Sequence, residues 1–433
     1  MSAAAPGGGA PASDTPLPRD LLDTPEAGPR VIRGGALRVA GHVAGLAIAL
    51  VSISVLNRHL GVVDVGRYVT VLSLAILAAG LSDAGLQAIG VRECAVRRGA
   101  DRELLLRNLI TLRIALTSLG MLGAVVYALV AGFGTTLVLG TVIAGGGVLA
   151  ITLQSAASTV LIADLRLGWV TLSELLRQLV GTLAVIALAV AGAGLLAFFV
   201  TGVIGALAAL ALTVAVVRRA ILLRPAWDAD VLRALAREAA PYAAATIAAA
   251  VYLRVGMLIV ALVSDARQTG YYGTSFRVVE AMLAVPALAV GTAFPVFARA
   301  AGDDARRLDY AVRRTFATAL LLGAGVAVLL GVGAPVVIDV VGGDGFAPAA
   351  DVLRIHAIGV CLSFASIVLS YALLSLHAHR ALLTITLTGL AVVLAGSFAG
   401  AEIDGARGAA VAAVLGELAL TAAGLIALAR RGI

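Results

Sequence analysis

Charged side chains stand inside long apolar runs, among them Asp83, Arg254, Arg277, Glu280 and Glu417. Such groups can do two kinds of chemistry there. A guanidinium offers a planar fork of donors that matches phosphate or carboxylate oxygens. A carboxylate can balance that charge or carry a proton. Arg254 falls near the middle of PYAAATIAAAVYLRVGMLIVALVS, residues 241–264. Arg277 and Glu280 fall early in YYGTSFRVVEAMLAVPALAVGTAFPVFAR, residues 271–299. An arginine at mid-membrane costs roughly 2.5–3.5 kcal/mol on insertion scales. One kept there implies an ion pair inside a bundle, with Glu280 or Glu417, or a wet cavity. Arg277 and Glu280 are three residues apart, so they share a helical face and can pair with each other. Glu417 lies deep in AAVLGELALTAAG, as a proton-carrying site or a packing group. Asp83 and Gln87 share a face toward the end of their run, a place for packing or hydration. Glu174 and Arg177 read as an interfacial pair.

Other chemistries find little support. All basic side chains except histidine are arginine. Without lysine there is no Walker A loop and no Schiff base, so the chain is not its own ATPase. Asp228-Ala229-Asp230 matches a DxD metal motif but sits in a short linker with no nucleotide-binding fold around it. Asp303-Asp304 with Asp309 lies on an arginine-rich loop and reads as solvated. His377 and His379 lack zinc spacing. Cys94 and Cys361 occupy different environments, so neither a disulfide nor a metal site is expected. No metal, cofactor or catalytic residue is expected, and the chain is read as a non-enzyme.

The elements that position these residues are membrane helices. Of 433 residues, 61% are hydrophobic and 13% charged, against about 25% charged in a soluble domain. The apolar runs are too long for barrel strands. The class is all-α and polytopic. Residues 1–35 are rich in Gly, Ala and Pro and read as a disordered tail, without the pattern of a cleavable signal peptide. About 12 spans follow, near 37–57, 68–90, 109–131, 136–162, 170–192, 195–217, 241–263, 273–297, 315–341, 353–376, 381–400 and 407–429. Every second loop is arginine-rich, and the alternate loops carry only Arg58, Arg67, Arg267 and Arg407. The positive-inside rule then puts both termini in the cytoplasm. That pattern accounts for the positive charge, and no nucleic-acid partner is expected.

The chain also repeats. Gly66-Arg67-Tyr68 precedes the second span as Gly270-Tyr271-Tyr272 precedes the eighth. Two parallel six-helix repeats follow, an N-terminal lobe over 36–217 and a C-terminal lobe over 241–433, with the substrate path between them. Residues 218–240 read as an amphipathic linker helix on the cytoplasmic face. Gly145-Gly146-Gly147 is expected to break the fourth span, Pro286 and Pro295 the eighth and Pro335 the ninth, as packing features or hinges.

Several stretches resemble a known family. They are Asn57-Arg58-His59-Leu60-Gly61, Gly66-Arg67-Tyr68, Leu81-Ser82-Asp83-Ala84-Gly85-Leu86-Gln87, and Val91-Arg92-Glu93. Gly270-Tyr271-Tyr272, Arg277 with Glu280, Phe294-Pro295, Asp351-Val352-Leu353-Arg354-Ile355, and Gly405-Ala406-Arg407-Gly408-Ala409-Ala410 continue the pattern. From about residue 35 onward the chain resembles the O-antigen type of oligosaccharide flippase. That branch belongs to the superfamily that also holds multidrug and toxin extruders and lipid II flippases. The resemblance implies two six-helix lobes around a central cavity. It implies flipping of a polyprenyl-pyrophosphate-linked glycan to the outer leaflet of a bacterial plasma membrane, with glycan-assembly enzymes as candidate partners. Relatives often carry an acidic residue soon after the seventh-span arginine, where this chain has Gly256 and Met257. On this reading Arg254 is the main headgroup contact and Arg277 the second, with Glu280 and Glu417 tuning them or carrying protons. The rival readings are an ion-coupled drug antiporter, which calls for an acidic, aromatic-lined cavity, and a non-transporting scaffold for cell-wall enzymes. A membrane glycosyltransferase would call for a large loop that the sequence lacks.

Overall fold

The computed structural model describes the backbone of residues 27–218, 225–303 and 305–432. The N-terminal tail through residue 26, Arg219, Arg224 and Asp304 lie outside the described residues, as do the side chains of Pro295 and Asp303. Among the described residues the regular structure is helical throughout. Among the described residues nine helices are long and apolar enough to cross a membrane. Two of them are double. The first, α1 (Ala27–Asp83), breaks at Gly61, with φ 70° and ψ 173°. His42 and Leu72 line one cavity, whereas a straight helix would hold them roughly 45 Å apart. The two arms therefore fold back on each other. The last, α11 (His379–Ala429), breaks at Asp404 and Gly405. Its arms lie against each other, since an ideal Cβ built on Gly416 meets Val393 Cγ2 at 2.2 Å. With both extra arms and the less apolar α8 (Ala266–Asp303), the twelve expected spans are present.

Between these lie α2 (Leu86–Val96), α3 (Gly99–Val130), α4 (Thr135–Ala163), α5 (Leu167–Val190), α6 (Leu195–Val217), α7 (Ala229–Val263), α9 (Ala305–Gly342) and α10 (Ala349–Ser375). The triple glycine does not break α4, which runs unbroken from Thr135 to Ala163. In lipid a helix has no water to exchange its backbone bonds with, and the glycines serve packing, Gly145 on Met121 and Gly147 on Val203. Helix α8 runs continuously past Pro286, and Pro335 lies within α9. Residues 229–240 form one helix with the seventh span. There Leu235 and Ala239 pack on Leu86, Ile89, Leu105 and Leu109.

Packing follows the two groups α1–α6 and α7–α11, and α1 is the main bridge, contacting α7, α8 and α9. At one end the groups meet backbone to backbone. An ideal Cβ on Gly66 would stand 1.7 Å from the carbonyl oxygen of Ala266, and one on Gly270 would stand 2.3 Å from that of Val62. Only glycine allows that approach. These are the two glycines that the internal repeat relates.

Candidate functional site

Helix α8 opens at Asp265, whose carboxylate accepts from the Gln268 amide at 2.7 Å. From that start Gly270, Gly273, Thr274 and Arg277 fall on one face by helical spacing. Gly270 and Gly273 press on Val62 and Val69 of α1. Below this contact α1, α5, α6 and α8 enclose a cavity of about 340 Å³. Its titratable lining is His42, Tyr68, Arg177 and Arg277, and among the described residues no carboxylate lines it. Neutral polar groups, Ser52, Asn57, Gln178, Thr182, Thr201 and Thr274, share the wall.

Behind Arg277 stands Arg254. It is 8% exposed, forms an ion pair and hydrogen bond with Glu280, and lies 5.7 Å over the Phe276 ring. Arg277 reaches the same carboxylate at a looser 3.7 Å, with its side chain 30% exposed. Two arginines thus share one carboxylate. The surplus positive charge sits on the one that faces the cavity. Arg254 itself is not in the wall.

Asp83 and Glu417 stand away from this cavity. Asp83 ends the second arm of α1, where Ala84 and Gly85 turn the chain with positive φ. It accepts from Arg113 at 2.7 Å. Gln87 accepts from the same arginine and, at 2.9 Å, from Ser155. Glu417 accepts from Tyr252 at 2.8 Å and from Ser366 at 3.2 Å. It lines a smaller pocket with Tyr272 and His356, and His356 Nδ1 lies 2.8 Å from the Ser275 hydroxyl. Arg177 and Glu174 do pair, and Gln178 donates to the same carboxylate at 3.2 Å. Arg113, His42, Gln178 and Thr274 were not singled out from sequence. Arg113 carried a signal, since it is a charge inside the third span. Neutral Gln178 and Thr274 carried none.

The remaining motifs resolve locally. Asp228 caps α7, accepting from the amides of Asp230 and Val231 at 3.0 and 3.2 Å, which is ordinary N-cap behaviour. Asp309 pairs with Arg313 at 2.7 Å. Both cysteines are free. Among the described residues no group of His, Cys, Asp and Glu could hold a metal.

The fold and cavity define a class, the all-helical, multi-pass membrane protein with a polar chamber between two helical groups. A family model described as polysaccharide biosynthesis protein matches residues 31–301, and the chain belongs to that family. No curated protein matches it. Among solved structures it is similar to a lipid II flippase in an inward closed conformation, at 12% identity and TM-score 0.73, over 92% of this chain and 87% of that one. An inward-facing multidrug resistance MATE family transporter of the MOP superfamily is similar at 14% identity and TM-score 0.70, over 92% and 98%. A MOP superfamily transporter from Pyrococcus furiosus, described by a binding pocket of reverse polarity, is similar at 15% and TM-score 0.61, over 93% and 95%. This chain has the fold of that superfamily.

Proposed function

We propose that the protein moves a polyprenyl-pyrophosphate-linked oligosaccharide from the inner to the outer leaflet by alternating access, for cell-surface polysaccharide synthesis. The observation that supports this most is the basic wall of the cavity, Arg277, Arg177 and His42 with no carboxylate among the described lining. A pyrophosphate headgroup cannot cross hydrocarbon unaided, and an arginine fork suits its oxygens. A pump for cationic drugs calls for the opposite charge. In this reading Arg277 touches the headgroup. Arg254 and Glu280 hold its charge in place from behind, and Asp83 and Glu417 act within their own helical groups. The arginine-rich loops support cytoplasmic termini, which makes the glycine-sealed end the outer one.

The test is exposure of a lipid-linked glycan to an external glycan-cleaving enzyme in proteoliposomes. The intact protein should expose it, and Arg277→Ala should slow flipping about tenfold or more, the scale of one charge-assisted hydrogen bond. Arg277→Lys should recover part of the rate. Intact protein that behaves like empty vesicles with several lipid-linked glycans would remove this reading.

A further inference from the structure

The arginines at the end away from the glycine seal are not all satisfied. Arg92 and Arg97 pair with Glu93, Arg92 also with Glu238, Arg102 with Asp164 at 2.7 Å and Arg233 with Asp230 at 3.0 Å. Arg166, Arg218 and Arg237 are exposed and have no carboxylate partner among the described residues. The chain has two tryptophans, and both stand with these arginines. Trp169 is 40% exposed and follows Arg166 by one turn at the start of α5. Its neighbour Val170 packs in one cluster with Val217, the residue before Arg218. Trp227 is 77% exposed and stands just before α7, on whose open face Arg237 follows. A bare indole is out of place in water. At a bilayer boundary its ring lies among headgroups with the N–H toward water.

The level of both rings can be read from the helices beside them. The Ala226 amide donates to the Arg107 carbonyl at 3.5 Å, Thr111 donates to the Ala226 carbonyl at 2.7 Å, and the Asp228 amide donates to Asn108 at 2.7 Å. Trp227 is thus held beside Asn108, which lies 22 residues from Val130 at the far end of α3. That is roughly 33 Å, against about 30 Å for a hydrocarbon core. Trp169 lies 21 residues from Val190 at the far end of α5, roughly 32 Å. The two rings therefore share the level of the lipid–water boundary. Helix α7 has 35 residues, roughly 52 Å, so its first turns run along that boundary rather than out from it.

We propose that this end of the first helical group, with the opening turns of α7, docks on an anionic lipid surface. Trp169 and Trp227 lie in the headgroup layer, and Arg166, Arg218 and Arg237 hold lipid phosphates, which an arginine fork matches. Charge and level favour lipid over a soluble partner: the arginines that lack acidic partners stand at the depth of phospholipid phosphates. None of these five residues lines the central cavity, so the surface is separate from the cargo site and independent of the flippase reading. Each such arginine favours an anionic surface about fivefold.

The two tryptophans report on this directly. The full chain is placed in nanodiscs of phosphatidylcholine and phosphatidylglycerol at about four to one. In one preparation the phosphatidylglycerol carries bromine on its acyl chains near the headgroup. In the other an equal number of phosphatidylcholines carries it. Tryptophan fluorescence should be quenched at least about twice as strongly in the first. The preference should fade in about 1 M salt, where charges are screened within roughly 3 Å. Arg166→Gln, Arg218→Gln and Arg237→Gln together should make the two preparations equal. Bromination of every lipid should still quench that variant, which shows that it is folded with its rings in the bilayer. Trp169→Phe leaves Trp227 as the reporter and should keep the preference; losing it there removes α7 from the surface. Equal quenching of the intact protein in both preparations overturns anionic docking. No quenching by any brominated lipid puts the rings in water and overturns lipid docking altogether. Neither outcome bears on the flipping assay, so the two readings fail separately.

Discussion

The two helical groups meet differently at their two ends. At the sealed end backbone touches backbone through Gly66 and Gly270, and hydrogen bonds cross directly. Ser54 donates to the Val340 carbonyl at 2.7 Å, buried Asn57 to Val341 at 3.1 Å, and Arg58 to Asp339 at 3.1 Å. At the other end the contact lies on one flank, made by the apolar set around Leu235, the pair Arg92 and Glu238, and the segment before α7, whose Ala226 amide donates to the Arg107 carbonyl at 3.5 Å and whose Ala226 carbonyl accepts from Thr111 at 2.7 Å. The Asp228 amide also donates to Asn108 at 2.7 Å. The first contact either fits or does not. The second rests mostly on side chains, which can shift by small movements.

The comparison breaks first at the glycines. Gly66→Val places side-chain atoms where the Ala266 carbonyl stands, and overpacking of this kind costs about 3 kcal/mol or more. With Cys94 and Cys361 replaced by Ala, a Ser52→Cys probe on the cavity wall should be protected from an external, impermeant thiol reagent. It should become labelled when Gly66→Val is added. Asn57→Ala should weaken the seal less, by about 1–3 kcal/mol, the cost of leaving a buried carbonyl unpaired. The same probe should label at an intermediate rate. Arg58→Ala removes a more exposed bond and should cost about 1 kcal/mol, read as a modest rise in labelling. At the opposite end Arg92→Ala breaks an exposed pair worth at most about 1 kcal/mol. It should leave labelling from outside unchanged, and its effect on thermal unfolding should vanish in high salt.

Much of this was legible in the chain. The apolar runs located the spans, because no other element satisfies its backbone in lipid. The repeat was legible at Gly66 and Gly270, yet that these two residues touch follows only from how the halves dock. Buried charge marked Arg254 as notable, but sequence could not tell which arginine faces the cavity. That depends on the rotation of α8, which Gly270 and Gly273 set by their fit to α1. The triple glycine was misjudged because helix propensities measured in water overstate breaking in a membrane. Gln178 and Thr274 were invisible, since a neutral polar residue takes its place on a cavity wall only in the folded chain.

The central claim is that the sealed end must open for cargo to cross. Ser54→Cys and Val340→Cys, in the background lacking the native cysteines, can be joined across that end by a short bis-methanethiosulfonate, which releases methanesulfinate at each thiol and is cleaved by a reductant. Flipping of a lipid-linked glycan in proteoliposomes should then fall to the level of empty vesicles and return when the link is cleaved. Flipping that continues at full rate with the link in place would contradict the account.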